Sequence, residues 1–150
     1  MARDRFPLKL LFVGFGNVGR ELARILANKA DYPGLATLDV SVVGITTGSR
    51  KSLANKNGID LARALEELRE KGRFTPENPD YSDLDSLGAA ARLDYDVLVE
   101  MSPLSIEGSG EPAVTHVRTA LERGRHVISC NKGPLAFAYR TLRKLADEKG

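Results

Sequence analysis

Gly14, Gly16 and Gly19 stand in the spacing G-x-G-x-x-G, and the chemistry they offer is that of backbone rather than side chain. Gly14 lets a chain turn sharply off a strand. Gly16 leaves room for a diphosphate to approach the main chain, and Gly19 lets a following helix pack close to a sheet. The helix N-terminus that follows presents free N–H groups and a partial positive charge to the phosphates. The reading is a dinucleotide cradle, with an ordinary strand-to-helix turn as the plain alternative. A second chemical position is Lys132, within Asn131-Lys132-Gly133-Pro134. At the carboxyl end of a strand, a lysine can contact a cofactor or polarise a carbonyl oxygen as hydride arrives. A surface lysine in a turn is its plain alternative.

Two further places fall where open α/β sheets bind ligands, at the carboxyl ends of strands. One reads Thr46-Thr47-Gly48-Ser49-Arg50-Lys51, with Lys56 further on and no Asp or Glu between Ser41 and Gly58. An NAD site places an acid here for the ribose 2′-OH, whereas an NADP site places an arginine near the 2′-phosphate. Arg50, Lys51 and Lys56 therefore point to NADP over NAD, with a solvated basic loop as the alternative. The other place is Ser102-Pro103, where Ser102 is a candidate to hydrogen-bond the cofactor. Neither His116, expected on a helix surface, nor His126 is expected to act as a base. Cys130 is expected to be a small packed thiol. Asp80, Asp83 and Asp85 lack the glycine and closing glutamate of a calcium loop, so capping and solvation are expected of them and no metal site is.

The elements that must position these residues follow from periodicity. Leu8 to Val13 is a run apolar except for Lys9, suited to a strand buried on both faces. Asn17 to Lys29 is a helix with Val18, Leu22, Ile25 and Leu26 as its buried stripe. Val40 to Thr46 is a β-branched strand. Asn57 is read as the cap of a helix from Ile59 to Lys71, stopped by Gly72. Arg73 to Leu93 is the least regular stretch, with a short helix around Leu84 to Ala91. Asp96 to Met101 is a strand whose Glu100 needs a partner or an exposed edge. A helix from Pro112 to about Arg123 buries Val114, Val117 and Leu121, and Gly124 ends it. A strand from His126 to Cys130 and a helix from Leu135 to Lys149 complete the pattern. Strands alternating with helices give a Rossmann-type, doubly wound α/β fold with a mainly parallel sheet and helices on both faces.

The chain has 150 residues, one domain's worth, with 42% hydrophobic and 28% charged residues, the balance of a soluble globular protein. A formal net charge of +2, spread along the chain, gives no ground for a nucleic-acid or membrane partner. The single cysteine fits a reducing cytoplasm. Arg3 and Arg5 before Leu8 to Val13 imitate a signal peptide, but the run is short and no cleavage site follows.

Three blocks occur in order: Gly14-Phe15-Gly16-Asn17-Val18-Gly19, then Val99-Glu100-Met101-Ser102-Pro103, then Gly124 through Ala136 with Asn131-Lys132-Gly133-Pro134 inside it. Together they resemble the N-terminal cofactor-binding domain of the homoserine dehydrogenases, over nearly the whole chain. The resemblance implies reversible reduction of aspartate 4-semialdehyde to homoserine with NAD(P)H, in the biosynthesis of threonine, methionine and isoleucine. It implies that Phe15 to Val18 line the pyrophosphate and that Arg50 faces the 2′-phosphate, with Lys51 or Lys56 as further contacts. It also implies that Ser102 and Pro103 flank the nicotinamide side and that Lys132 approaches nicotinamide and substrate in a catalytic role. In that family the substrate-binding acids, the proton-donating lysine, the cation loop and the dimerising sheet belong to a later domain. The chain alone is therefore expected to bind cofactor without turning over homoserine, as a fragment, a truncated form or one half of a split enzyme, the full-length enzyme being a homodimer. A stand-alone NAD(P)-sensing module and the cofactor domain of another amino-acid dehydrogenase, such as aspartate dehydrogenase, are the competing readings.

Overall fold

The computed structural model describes residues 7–150; residues 1–6, with Arg3 and Arg5, lie outside the described residues. Leu8–Val13 forms β1, and its last four residues are fully buried, as a central strand requires. Gly14 turns the chain at a φ of +93°, and α1 runs Asn17–Ala27, followed by a 3-10 turn at Lys29–Asp31. β2 is Val40–Thr46 and pairs in parallel with β1. The register slips between Leu10 and Leu11, so that Gly44 rather than Val43 stands opposite Leu11. A Cβ on Gly44 would meet Leu11 and Leu93 side-chain carbons at 2.6 Å, which explains the glycine inside an otherwise β-branched strand.

Beyond β2 the chain departs from its expected course. Ser52–Ala54 forms β3, antiparallel to β2, and after α2 (Leu61–Lys71) the short β4 (Tyr81–Ser82) pairs antiparallel with β3. Neither strand is long enough to show a period-2 pattern. The cap of α2 is Asp60, whose carboxylate accepts from the Arg63 N–H at 3.0 Å, and not Asn57. Gly72 ends α2 in the left-handed region at a φ of +71°. α3 is Ser86–Arg92, capped by Asp85, and β5 is Val97–Glu100. α4 is Ala113–Glu122, β6 is His126–Ser129 and α5 is Gly133–Lys149.

The six strands lie in the order β4-β3-β2-β1-β5-β6. β2, β1, β5 and β6 are mutually parallel, and the antiparallel pair extends one edge. One apolar layer joins Leu10, Phe12, Val42, Ile45 and Val99 to α1 and α2 through Ala23, Ala64 and Leu68. The other joins Leu11, Val13, Val43 and Leu98 to α3 and α4 through Ala89, Ala90 and Ala120. This is the doubly wound arrangement expected of the pattern.

The buried side of α1 differs from its expected stripe. Gly19 and Ala23 are the buried residues, Leu22, Ile25 and Leu26 are half-buried, and Val18 is 54% exposed. Small residues at the contact bring the helix axis close to the sheet and rotate Val18 out. On α4 Val114 and Val117 are buried and Leu121 is half-buried, and His116 is buried too, because it turns toward the sheet and meets Glu100 at the end of β5. The expectation of a surface His116 is corrected on that account. Cys130 is exposed rather than packed, since β6 is an edge strand. Ile128 on that strand and Leu135, Phe137 and Tyr139 on α5 are likewise exposed.

Candidate dinucleotide-binding site

Four strand ends meet along one edge of the sheet. The Gly14 N–H donates to the Thr46 carbonyl oxygen at 3.0 Å, tying the glycine turn to the end of β2. On its other side the turn abuts the exit of β5: a Cβ on Gly14 would lie 2.6 Å from the backbone of Met101 and Ser102. Gly19 is confined in the same way, with Gly14 O at 2.8 Å from the place of its Cβ. Gly16 is the exception, since nothing lies within 4 Å of that position. Two glycines are therefore demanded by protein packing, and the third leaves open a space beside the main chain.

The start of α1 faces that space. It carries no side-chain cap and no acidic residue in its first turn, so its N–H groups and dipole are not neutralised by the helix's own carboxylates. A diphosphate has the charge and acceptors that such a terminus lacks. Arg20, which sequence reasoning missed, adds to it. Its guanidinium folds back along the first turn, donating to Gly16 O at 3.3 Å and to Asn17 Oδ1 at 2.8 Å. Its distance of three and four residues from these partners was the available signal.

Arg50 closes the crevice from the β2 side. Its guanidinium donates to the Phe15 carbonyl oxygen at 3.4 Å, and its own N–H donates to Thr47 Oγ1 at 2.7 Å. Thr47 Oγ1 in turn donates to Lys51 O at 2.8 Å, so one threonine organises the whole basic loop. Phe74, also absent from the expected site, supports the loop and the turn together. Its N–H donates to Arg50 O at 3.0 Å, and its ring lies 6.1 Å from that of Phe15.

Lys51 sits in the same loop, but its ammonium is 3.2 Å from Asp83. The hydrogen bond to Asp83, with nearby Tyr81, holds the Lys51 ammonium above its ordinary value, and Lys51 and Tyr81 hold Asp83 below its own. Lys56 is elsewhere. β3 runs antiparallel to β2 and carries the chain back, so Lys56 lines a hollow with Pro7, Lys9, Asn57 and Asp96 at the amino ends of the strands. The expectation that Lys56 approaches the 2′-phosphate is corrected by this reversal. Asp80 accepts from Asn55 Nδ2 and Asp85 caps α3.

At the ends of β5 and β6, Asn131 ties two loops together. It is buried, and its Nδ2 donates to Ser102 O at 3.0 Å and Pro103 O at 3.3 Å. Its Oδ1 accepts from the Gly133 N–H at 2.8 Å, which turns the chain into α5. Lys132 occupies the N-cap position of α5 and is exposed; its ammonium has no hydrogen-bond or ion-pair partner among the described residues. Two strand spacings, about 10 Å, separate β1 from β6, so the glycine turn and Lys132 share one rim. Ser102 is half-buried and Pro103 is exposed beside it. His126 lies at the opposite end of β6, away from this rim.

Beneath Ser102 lies a polar group that the sequence showed only as a problem. Glu100 is 0% exposed at the end of β5. Its Oε1 accepts from the Ser102 N–H at 2.8 Å and from the Ser102 hydroxyl, and its Oε2 takes His116 Nδ1 at 3.0 Å.

The family model described as "Homoserine dehydrogenase, NAD binding domain" matches residues 14–150. The chain belongs to this family. A homoserine dehydrogenase of Methanocaldococcus jannaschii is 32% identical over 143 residues, covering 95% of this chain and 42% of its own length. An NAD(+)-dependent homoserine dehydrogenase of Pseudomonas canavaninivorans is 34% identical over 141 residues, 92% of this chain and 39% of its own length. Among solved structures, a hyperthermophilic archaeal homoserine dehydrogenase in complex with NADPH superposes with a TM-score of 0.76 at 27% identity, over 96% of this chain and 42% of that one. This chain thus corresponds to the NAD-binding domain of homoserine dehydrogenase and spans about two fifths of the length of those relatives.

Proposed function

We propose that this homoserine dehydrogenase domain binds NADPH in preference to NADH. The observation that carries the reading is the Arg50 guanidinium resting on the Phe15 carbonyl beside the uncapped start of α1. The main chain from Phe15 to Val18 would hold the pyrophosphate, with Gly16 leaving room for it. Arg50 would take the 2′-phosphate, and Lys51 would add a second cation when it leaves Asp83, an exposed pair worth little in water. Ser102, Pro103 and Lys132 would flank the nicotinamide. The bound dinucleotide supplies hydride chemistry; the chain's residues bind it, orient it and place a positive charge beside the reacting carbonyl.

In the full-length enzyme the reaction would be the interconversion of aspartate 4-semialdehyde and homoserine, with Lys132 polarising the carbonyl oxygen. The substrate-binding residues would come from segments beyond this domain, and a homodimer in the cytoplasm would be the working form. The exposed apolar side chains on β6 and α5 support such a packing partner. No described helix is long and apolar enough to cross a membrane.

Calorimetric titration of the 150-residue chain tests the binding. Saturable heat with NADPH and a weaker response to NADH are expected. Equal affinities would remove the 2′-phosphate assignment, and no binding of either would remove the site.

A further inference from the structure

Glu100 is a fully buried carboxylate at the carboxyl end of an apolar strand, with Leu98 and Val99 before it and Val13 and Ser129 beside it in register. An apolar residue there would spare the cost of taking a charge out of water, so sheet stability alone does not account for it. What the carboxylate does is visible in its partners. His116 reaches it from α4, and a carboxylate can only accept, so Nδ1 carries the proton in that bond. The Ser102 N–H occupies Oε1 from the other side. Held at both oxygens, the carboxylate also accepts a hydrogen bond from the Ser102 hydroxyl.

That assignment fixes the polarity of a group on the crevice rim. A serine hydroxyl has one donor and two acceptor sites. Its donor points inward to Glu100. Asn131 Nδ2 approaches one acceptor site at 3.4 Å, which leaves the other for a donor arriving from the crevice. We propose that Glu100 and His116 are a buried positioning pair that locks the Ser102 hydroxyl as a hydrogen-bond acceptor toward the crevice, selecting a ligand with an N–H donor at that point. This rests on the dinucleotide reading above. The nicotinamide end of the cofactor carries such a donor in its carboxamide, whereas a ring bearing an acetyl group in its place keeps the carbonyl and has no N–H.

The test compares affinities of the 150-residue chain for NADPH and for the reduced 3-acetylpyridine analogue of NADP, measured by fluorescence or calorimetric titration. The unaltered chain should favour NADPH by about five- to tenfold, the size of one neutral hydrogen bond. Ser102→Ala removes the acceptor and should bring the ratio near one. Glu100→Gln offers an amide N–H to Ser102 Oγ, frees the hydroxyl proton to turn outward, and should also bring the ratio near one. General loosening of the fold would weaken both ligands together and leave the ratio as it was. Melting temperatures report folding, and Ser102→Ala, at the half-buried rim, carries the test if Glu100→Gln does not fold. A ratio near one in the unaltered chain, or one unchanged by Ser102→Ala, overturns the inference while leaving the dinucleotide site standing. Failure of the unaltered chain to bind NADPH overturns both.

Discussion

Asn131 Nδ2 donates to the Ser102 carbonyl oxygen at 3.0 Å, joining loops 29 residues apart at the ends of neighbouring strands. The same side chain accepts from the Gly133 N–H, so one buried amide sets both the rim beside Ser102 and the start of α5. Asn131→Ala would leave the buried Gly133 N–H and the half-buried Ser102 carbonyl without this partner. It is expected to cost about 1–3 kcal/mol in urea denaturation and to weaken NADPH binding. Retention of both stability and affinity would show that water replaces the amide at no cost.

Arg50 should decide cofactor choice. A charge-assisted hydrogen bond to phosphate contributes about 1.5–3 kcal/mol, so Arg50→Ala is expected to lower NADPH affinity about ten- to a hundredfold with little change for NADH. Arg50→Lys should recover part of it, because an ammonium keeps the charge and loses the fork. A parallel loss for both cofactors would mean that the contact with Phe15 O only braces the turn.

The glycines of the turn should separate stability from binding. At Gly14 a Cβ meets backbone at 2.6 Å and the φ is +93°, so Gly14→Ala should destabilise the fold by at least about 2 kcal/mol. At Gly16 nothing lies within 4 Å, so Gly16→Val should leave the melting temperature nearly unchanged and abolish NADPH binding. Undiminished binding by Gly16→Val would place the pyrophosphate elsewhere.

Lys132 is a matter for the full-length enzyme. Lys132→Ala should lower turnover by about 100-fold or more, on the scale of removing one preorganised electrostatic donor, with a smaller change in NADPH affinity. A rise in KM with kcat unchanged would restrict Lys132 to binding.

How far the sequence revealed this site can be argued residue by residue. The strands β1 and β2 and the glycine turn were legible because buried parallel strands are dense in apolar and β-branched residues, despite Lys9 and Ser41 near their starts, and the turn needs Gly at fixed places. β3 and β4 were not, since strands of three and two residues owe their existence to pairing with β2 rather than to their own pattern. Lys56 was misplaced for the same reason: a reversal set by tertiary pairing moved it to the far end of the sheet. His116 was misjudged because a one-stripe helical reading treats Val114, Val117 and Leu121 as the whole packed side, whereas α4 meets both α5 and the sheet and His116 turns to Glu100 on β5. Glu100 announced itself only as an unsatisfied need, and its partner lies 16 residues away on another element.

Glu67 gives a pH signature outside the crevice. It is buried on α2, and burial alone would raise its pKa from the ordinary 4.5. Hydrogen bonds from Asn78 Nδ2, from the Thr75 hydroxyl and from the Thr75 N–H outweigh that and hold it below the ordinary value. A carboxyl lowered in the folded state stabilises the fold above its unfolded pKa. That contribution is lost as pH falls through the folded value. Glu67→Gln should therefore be less stable than the parent at pH 7, by about 1–3 kcal/mol, because its amide N–H faces other donors. The gap should narrow as pH falls below about 4.5, where the parent takes up a proton that the variant cannot. Urea denaturation midpoints from pH 7 to 3 give the comparison, and a gap constant across that range would show that the carboxylate's charge contributes nothing there.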